Sequence, residues 1–236
     1  VVAGAMDQTA AALAAGCTRP GTVTETTGTA LVMAACTDAP MFRSGHHVTV
    51  YRHALPGKYL YLPIGNTAGM ALRWFRDEFC RDLPAGAAGY AALDALVQSV
   101  PCGCDGLAFL PFLSGSVDPD ACPEARAVFF GARLSTTRAH FARSVMESVA
   151  FLLRDFFGML NALGCPADTV YSQRCVAADQ SRCLRPHVPR ARVQRGHRHG
   201  CRPFGRVGQR THRPRRFPLP RRKRRLSSRQ RPRARL

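Results

Sequence analysis

Apolar and polar positions change period several times along the chain, and each change marks an element. Val1 to Gly4 is a short apolar run that reads as a strand. Met6 and Asp7 stand at its exit, before an alanine-rich helical stretch from Gln8 that Gly16 closes. Residues 22–35 crowd β-branched side chains on both sides of Thr27-Gly28-Thr29, which predicts two strands joined through a tight glycine turn. Residues 58–65 predict a third strand. Asn66 or Thr67 is then placed to cap a helix over 68–82, with Met70, Ala71, Trp74, Phe75 and Phe79 as its apolar stripe. Residues 90–100 predict a second amphipathic helix, 106–115 a strand running into a loop, and 127–134 a further strand.

Ser135 or Thr136 is placed to cap a long helix that Gly164 ends. Its positions Phe141, Val145, Val149, Leu152, Phe156, Met159, Leu160 and Leu163 recur at three or four residues and define one core face. Residues 169–172 begin another strand, and there the pattern breaks. Strands alternating with helices up to that point predict an α/β fold.

Charge divides the chain at the same place. The net charge of +19 is the footprint of a polyanion-binding protein. Residues 1–172, however, carry 12 Lys and Arg against 14 Asp and Glu, and residues 173–236 carry 22 against 1. The excess belongs wholly to the tail, so residues 1–172 are the globular candidate and 173–236 an Arg/Pro-rich segment expected to be disordered. No run of about 18 apolar residues exists to span a bilayer, and the start lacks a signal-peptide pattern. The expectation is a cytoplasmic protein. Seven of the ten cysteines scatter through the body. Cys102-Gly103-Cys104 lacks the spacing of a metal knuckle, so the cysteines read as thiols and not as ligands. His46 and His47 read as a polar loop for the same lack of partners.

Three places carry candidate chemistry. Asp7 is a carboxylate at a strand-to-helix turn, either a helix cap or an acid–base group. Thr27, Gly28 and Thr29 form either an ordinary hairpin or a phosphate-binding turn of backbone N–H groups and hydroxyls. Gly69, near a helix start, permits either close packing or close ligand approach.

The blocks VVAGAMDQTAAALAAG, ETTGTA, GMALRWFRD, GLAFLPFLSG and ARAVFFGARLSTTRAHFARSVMESVAFLLRD are collinear across nearly all of residues 1–172. In order and spacing they resemble the FGGY carbohydrate kinases. The resemblance implies an actin-like, ribonuclease-H-like ATPase domain, namely the C-terminal domain of a two-domain sugar kinase that holds ATP and sugar in its cleft. It implies that Asp7 is the catalytic base. Asp7 would accept the proton of a sugar hydroxyl as that oxygen attacks the γ-phosphorus of ATP. Thr27, Gly28, Thr29 and, more weakly, Gly69 then fall on phosphate-contacting positions. ATP and magnesium are implied, with the magnesium-associated Asp in a first domain that this chain lacks. Ser116 and Val117 stand where the family usually has a Glu-Arg pair, in a loop beside the cleft. The implied acceptor is a sugar or polyol, with a ketopentose such as xylulose as the best match.

The family's next block should be a strand, a glycine-rich adenosine-binding turn and a helix. Codons for residues 176–203, read from their second nucleotide, permit WRQIKADVCGRTFHVPACREATAMGAA, close to that expected helix and strand. The tail's 21 Arg and one Lys suit a shifted GC-rich frame. The tail is therefore expected to be an out-of-frame reading, and the chain an incomplete kinase domain without activity of its own. The competing reading is a nucleic-acid-binding protein acting through the basic segment 221–236.

Overall fold

A computed structural model describes residues 4–43, 45, 47–174 and 192–195 of the chain. The first helix, α1 (Asp7–Ala14), leads through Gly16, whose φ of +85° lets the chain reverse, into β1 (Thr22–Thr27) and β2 (Leu31–Thr37). These two strands are antiparallel, with Thr27 opposite Leu31. The expected strand over 58–65 is split by Pro63 into β4 (Tyr59–Tyr61) and β5 (Ile64–Gly65), both paired to β2. A short strand that the pattern did not announce, β3 (Val50–Arg52), lies against β4.

Helices α2 (Gly69–Phe79) and α3 (Gly86–Gln98) follow, then a 3-10 turn at Cys104–Gly106. A two-stranded sheet of β6 (Ala108–Leu110) and β7 (Val128–Phe130) precedes the long helix α4 (Arg138–Ala162) and β8 (Thr169–Arg174). Strand β8 pairs parallel with β1, and β9 (Arg192–Arg195) pairs parallel with β8. The main sheet thus runs β3-β4-β2-β1-β8-β9, with β5 also on β2.

Strand alternation on β2 builds two cores. Leu31, Met33 and Ala35 face α4, where Val149, Leu153, Phe156 and Leu160 meet them together with Val23 and Val170. Ala34 and Cys36 face the other way, against Ala12 of α1, Cys17, Leu60 and Leu62. A strand buried on both faces reads as the near-continuous apolar run found here. The result is a layered α1/sheet/α4 arrangement. A third cluster joins α2, α3 and the first half of α4 through Ala71, Phe75, Leu93, Ala142 and Val145. The α4 stripe expected from the sequence is buried throughout except at half-buried Phe141.

Several local expectations are corrected. Thr67 does not cap α2: its hydroxyl donates to the Pro111 carbonyl, and Asn66 reaches the Ser114 carbonyl at 3.4 Å. The long helix starts one residue later than expected. Thr137 is its cap, its N–H donating to His140 Nδ1 at 3.2 Å, while the Thr136 hydroxyl accepts the Arg133 N–H. On α2 the buried side is Ala71, Leu72 and Phe75, whereas Met70 and Phe79 are exposed. Strand β9 lies within the tail that composition left structureless. An open sheet edge at β8 recruits any extended segment through backbone groups alone, so apolar alternation is not required. Apart from residues 173–174 and 192–195, the tail and its shifted-frame reading lie outside the described residues, as do Val1–Ala3 of the expected first strand and His46.

Candidate active site

The two parallel strands β1 and β8 end together, Thr27 standing beside Arg174 in register. In parallel sheets, ligands bind outside the carboxyl ends of the strands. The turn Gly28–Ala30 sits at that edge and is tied by its own bond from the Gly28 N–H to the Ala30 carbonyl at 2.9 Å. Its carbonyls point at the start of α2. Gly28 O accepts the Gly69 N–H at 2.9 Å, and Thr29 O accepts the N–H groups of Ala68 and Met70, both at 3.1 Å. Helix starts leave N–H groups without intrahelical partners. Here the turn satisfies three donors at the start of α2, which explains why α2 dispenses with a side-chain cap.

Three predicted residues, Gly28, Thr29 and Gly69, are therefore brought together as one unit. Thr29 is exposed at its tip, and Thr27 is buried. The Thr27 hydroxyl is turned inward and donates to Glu25, a buried carboxylate that also accepts the Ser172 hydroxyl from β8. Glu25 went unremarked in the sequence pattern. The signal was present in strand period: Val23, Glu25 and Thr27 share one face, and Val23 packs toward α4. An acid on a core-facing strand position needs donors, and the two hydroxyls supply them.

Asp7 is the first residue of α1, with Met6 at the cap position. Its Oδ1 accepts the Gln8 N–H at 2.7 Å, and the residue is exposed. The carboxylate thus leans on the helix start while facing solvent, a geometry open to either role. Buried Thr9 and Ala12 fix α1 to the sheet beneath it.

The loop from Pro111 to Cys122 flanks the turn region. Gly65, Asn66, Thr67 and the stretch Gly115–Asp118 line a shallow cavity there, so Ser116 and Val117 face it. Asp118 anchors this loop: its buried carboxylate accepts the Ile64 N–H at 2.9 Å and sits 3.0 Å from His47 Nδ1. His47 therefore serves the loop. Gly65 lies close under α4: a Cβ there would stand 2.4 Å from Leu152 Cδ2, and the Leu152 side chain would have to shift.

Among the described residues no three His, Cys, Asp or Glu side chains gather into a metal-holding group. The seven described body cysteines form no disulfides; five are buried, and Cys102 and Cys122 are exposed. Burial pushes the Cys17 thiol up to about 12 and the Cys165 thiol up to about 11, with neighbouring Cys36 reinforcing both. No helix among the described residues is long and apolar enough to cross a membrane.

A sheet with this mixture of four antiparallel and two parallel pairings, packed between α1 and α4, is the core of an actin-like ATPase-type α/β domain. Comparison with known proteins takes the assignment further. Residues 23–173 match the model of the FGGY family of carbohydrate kinases, C-terminal domain, and the chain belongs to that family. It is similar to a gluconokinase of Bacillus subtilis, 31% identical over 163 residues that cover 66% of this chain and 31% of the relative. It is also similar to a glycerol kinase of Synechocystis, 34% identical over 163 residues that cover 66% and 32%. Among solved structures, a xylulose kinase from Rhodospirillum rubrum superposes with a TM-score of 0.70 at 31% identity, covering 82% of this chain and 38% of that one. The chain thus spans about a third of the length of these curated relatives.

Proposed function

We propose that residues 4–174 form the second domain of an ATP-dependent kinase that phosphorylates a hydroxyl of a sugar or polyol, with a ketopentose such as xylulose as the acceptor. The observation that carries the proposal is the turn at the carboxyl ends of β1 and β8, whose Gly28 and Thr29 carbonyls are spent on the start of α2. That leaves the exposed Thr29 side as the face a phosphate meets. Thr27 and Gly28 hold the turn's shape from below, and Gly69 lets α2 begin against it. This division of labour refines the expectation that all four contact phosphate.

Asp7 is the general base in this reading. Its exposed carboxylate takes the proton of the acceptor hydroxyl as that oxygen attacks the γ-phosphorus. In such chemistry positioning and charge neutralisation dominate, so the rigidity of the α1 and α2 starts matters more than added functional groups. ATP is the phosphate donor. Magnesium, when bound with ATP, would neutralise the charge of the transferring phosphates.

The test is a fusion in which residues 4–174 replace the corresponding segment of the Rhodospirillum rubrum xylulose kinase. ADP release is then measured with D-xylulose, glycerol and gluconate. The proposal expects ATP-dependent phosphorylation with D-xylulose preferred. A folded fusion that binds ATP yet phosphorylates none of the three would overturn it.

A further inference from the structure

The turn Cys102-Gly103-Cys104 joins α3 to β6 and lies well apart in sequence from the residues assigned above. Gly103, Cys104 and Asp105 all have positive φ, at 88°, 50° and 51°. Two successive non-glycine residues in the left-handed region are uncommon, and such conformations concentrate at functional sites. Helix α4 grips the turn. The Gly103 N–H donates to both Glu147 oxygens, at 3.0 and 3.1 Å, and the Cys104 thiol donates to Glu147 Oε2 at 3.3 Å.

Arg143 completes the cluster. Its Nε donates to Glu147 Oε1 at 2.8 Å, its Nη1 to the Val97 carbonyl at 3.0 Å, and its Nη2 to Cys102 Sγ at 2.8 Å. The Arg143 and Glu147 side chains are 6% and 5% exposed, Cys104 is buried and Cys102 is exposed. The sulfur of exposed Cys102 therefore stands on a fixed cation, with a second thiol one glycine away on the partner carboxylate. A purely structural clamp explains the Gly103 bonds. It does not require sulfur at both flanking positions, since a hydroxyl at 102 could accept from Arg143 and one at 104 could donate to Glu147. Exposure and a guanidinium contact, both found at reactive cysteines, meet at Cys102.

We propose that Cys102 and Cys104 form a peroxide-reactive dithiol, a modification site whose substrate class is a hydroperoxide. The Cys102 thiolate attacks the peroxide: an S–O bond forms, the O–O bond breaks, and the departing alkoxide or hydroxide takes a proton from solvent. The Cys104 sulfur then attacks the resulting sulfenic acid. An S–S bond forms, the S–O bond breaks, and hydroxide leaves with the Cys104 proton as water. Two electrons pass from the thiol pair to the peroxide, which is reduced to an alcohol and water.

Cys122, the other exposed cysteine of the body, is the internal comparator. The full chain is exposed to limiting hydrogen peroxide with dimedone present, alkylated, cleaved at aspartate to separate Cys122 from the pair, and read by mass spectrometry. The expected result is a Cys102–Cys104 disulfide appearing at least about tenfold faster than oxidation of Cys122. In Cys104→Ser a dimedone adduct accumulates on Cys102, and in Cys102→Ser none appears on residue 104. Equal oxidation of Cys102 and Cys122 in the unsubstituted chain would overturn the proposal, as would oxidation of Cys102 to sulfinic acid with Cys104 untouched.

Discussion

Deleting the Thr27 and Ser172 hydroxyls, singly and together, measures how the carboxylate beneath the turn is held. Both hydroxyls donate to Glu25, which lies opposite Ser172 in the parallel register of β1 and β8. Thr27→Val and Ser172→Ala each remove one hydrogen bond to a charged group, costing about 1.5–3 kcal/mol. The double variant strands a buried carboxylate without either donor. Its loss should therefore exceed the sum of the singles by about 0.5–3 kcal/mol, the coupling found within one hydrogen-bonded network. Adding Glu25→Leu removes the group that needed those donors and should recover most of the excess, because apolar replacement of a whole polar cluster is close to neutral. Urea unfolding followed by circular dichroism reads this directly. At a slope of about 1–3 kcal/mol per molar urea, a 3 kcal/mol loss moves the midpoint by about 1–3 M. Additive single effects, or a triple variant less stable than the double, would refute the picture of Glu25 as the turn's internal anchor.

Further outcomes follow from the packing. Phe156→Ala, at the centre of the α4 contact with the sheet, should cost about 3–5 kcal/mol in the same unfolding assay; a loss under about 1 kcal/mol would mean that α4 does not pack there. Gly89→Ala should destabilise α3 even though alanine favours helices by about 1 kcal/mol. Its Cβ would stand 2.0 Å from the Pro84 carbonyl oxygen, a backbone atom with no side-chain freedom. A higher unfolding midpoint would contradict that close approach. Alkali should weaken the fold through Cys17. Its thiol is held near 12 in the native protein against an ordinary value of 9.0, so between those values the unfolded chain has released a proton that the folded one keeps. The stabilisation is full below about pH 9 and declines as pH rises toward 12. The urea midpoint should fall from pH 8 to pH 10, and Cys17→Ala should flatten that slope; an unchanged slope would remove Cys17 as the cause.

What the sequence made legible depended on the length and purity of each period. The α4 stripe, Phe141 to Leu163, spans about six turns, and its register was readable residue by residue. The β1–β2 pair was readable because β-branched residues flank one glycine. Strand β3 escaped because Val50–Arg52 is only three residues long and is held by β4 alone. The capping residues moved because Thr67 found a stronger tertiary partner in Pro111 and because His140 supplies the acceptor that makes Thr137 the cap. At the candidate site, the meeting of Gly28 with Gly69 is a backbone contact across 41 positions, which no local pattern encodes. The order of strands in the sheet was likewise inaccessible to periodicity. Glu25 was legible in principle, since an acid in phase with Val23 had to face the interior.

The general-base role proposed for Asp7 is tested most directly by Asp7→Asn in the fusion with the Rhodospirillum rubrum xylulose kinase. Asparagine keeps the size of the side chain and its bond to the Gln8 N–H but cannot take the acceptor's proton. The account predicts that kcat falls by about 10²–10⁴ while the KM values for ATP and D-xylulose stay within a few-fold. A fusion whose Asp7→Asn form keeps its kcat would contradict the account, and Asp7 would then be no more than the first residue of a helix.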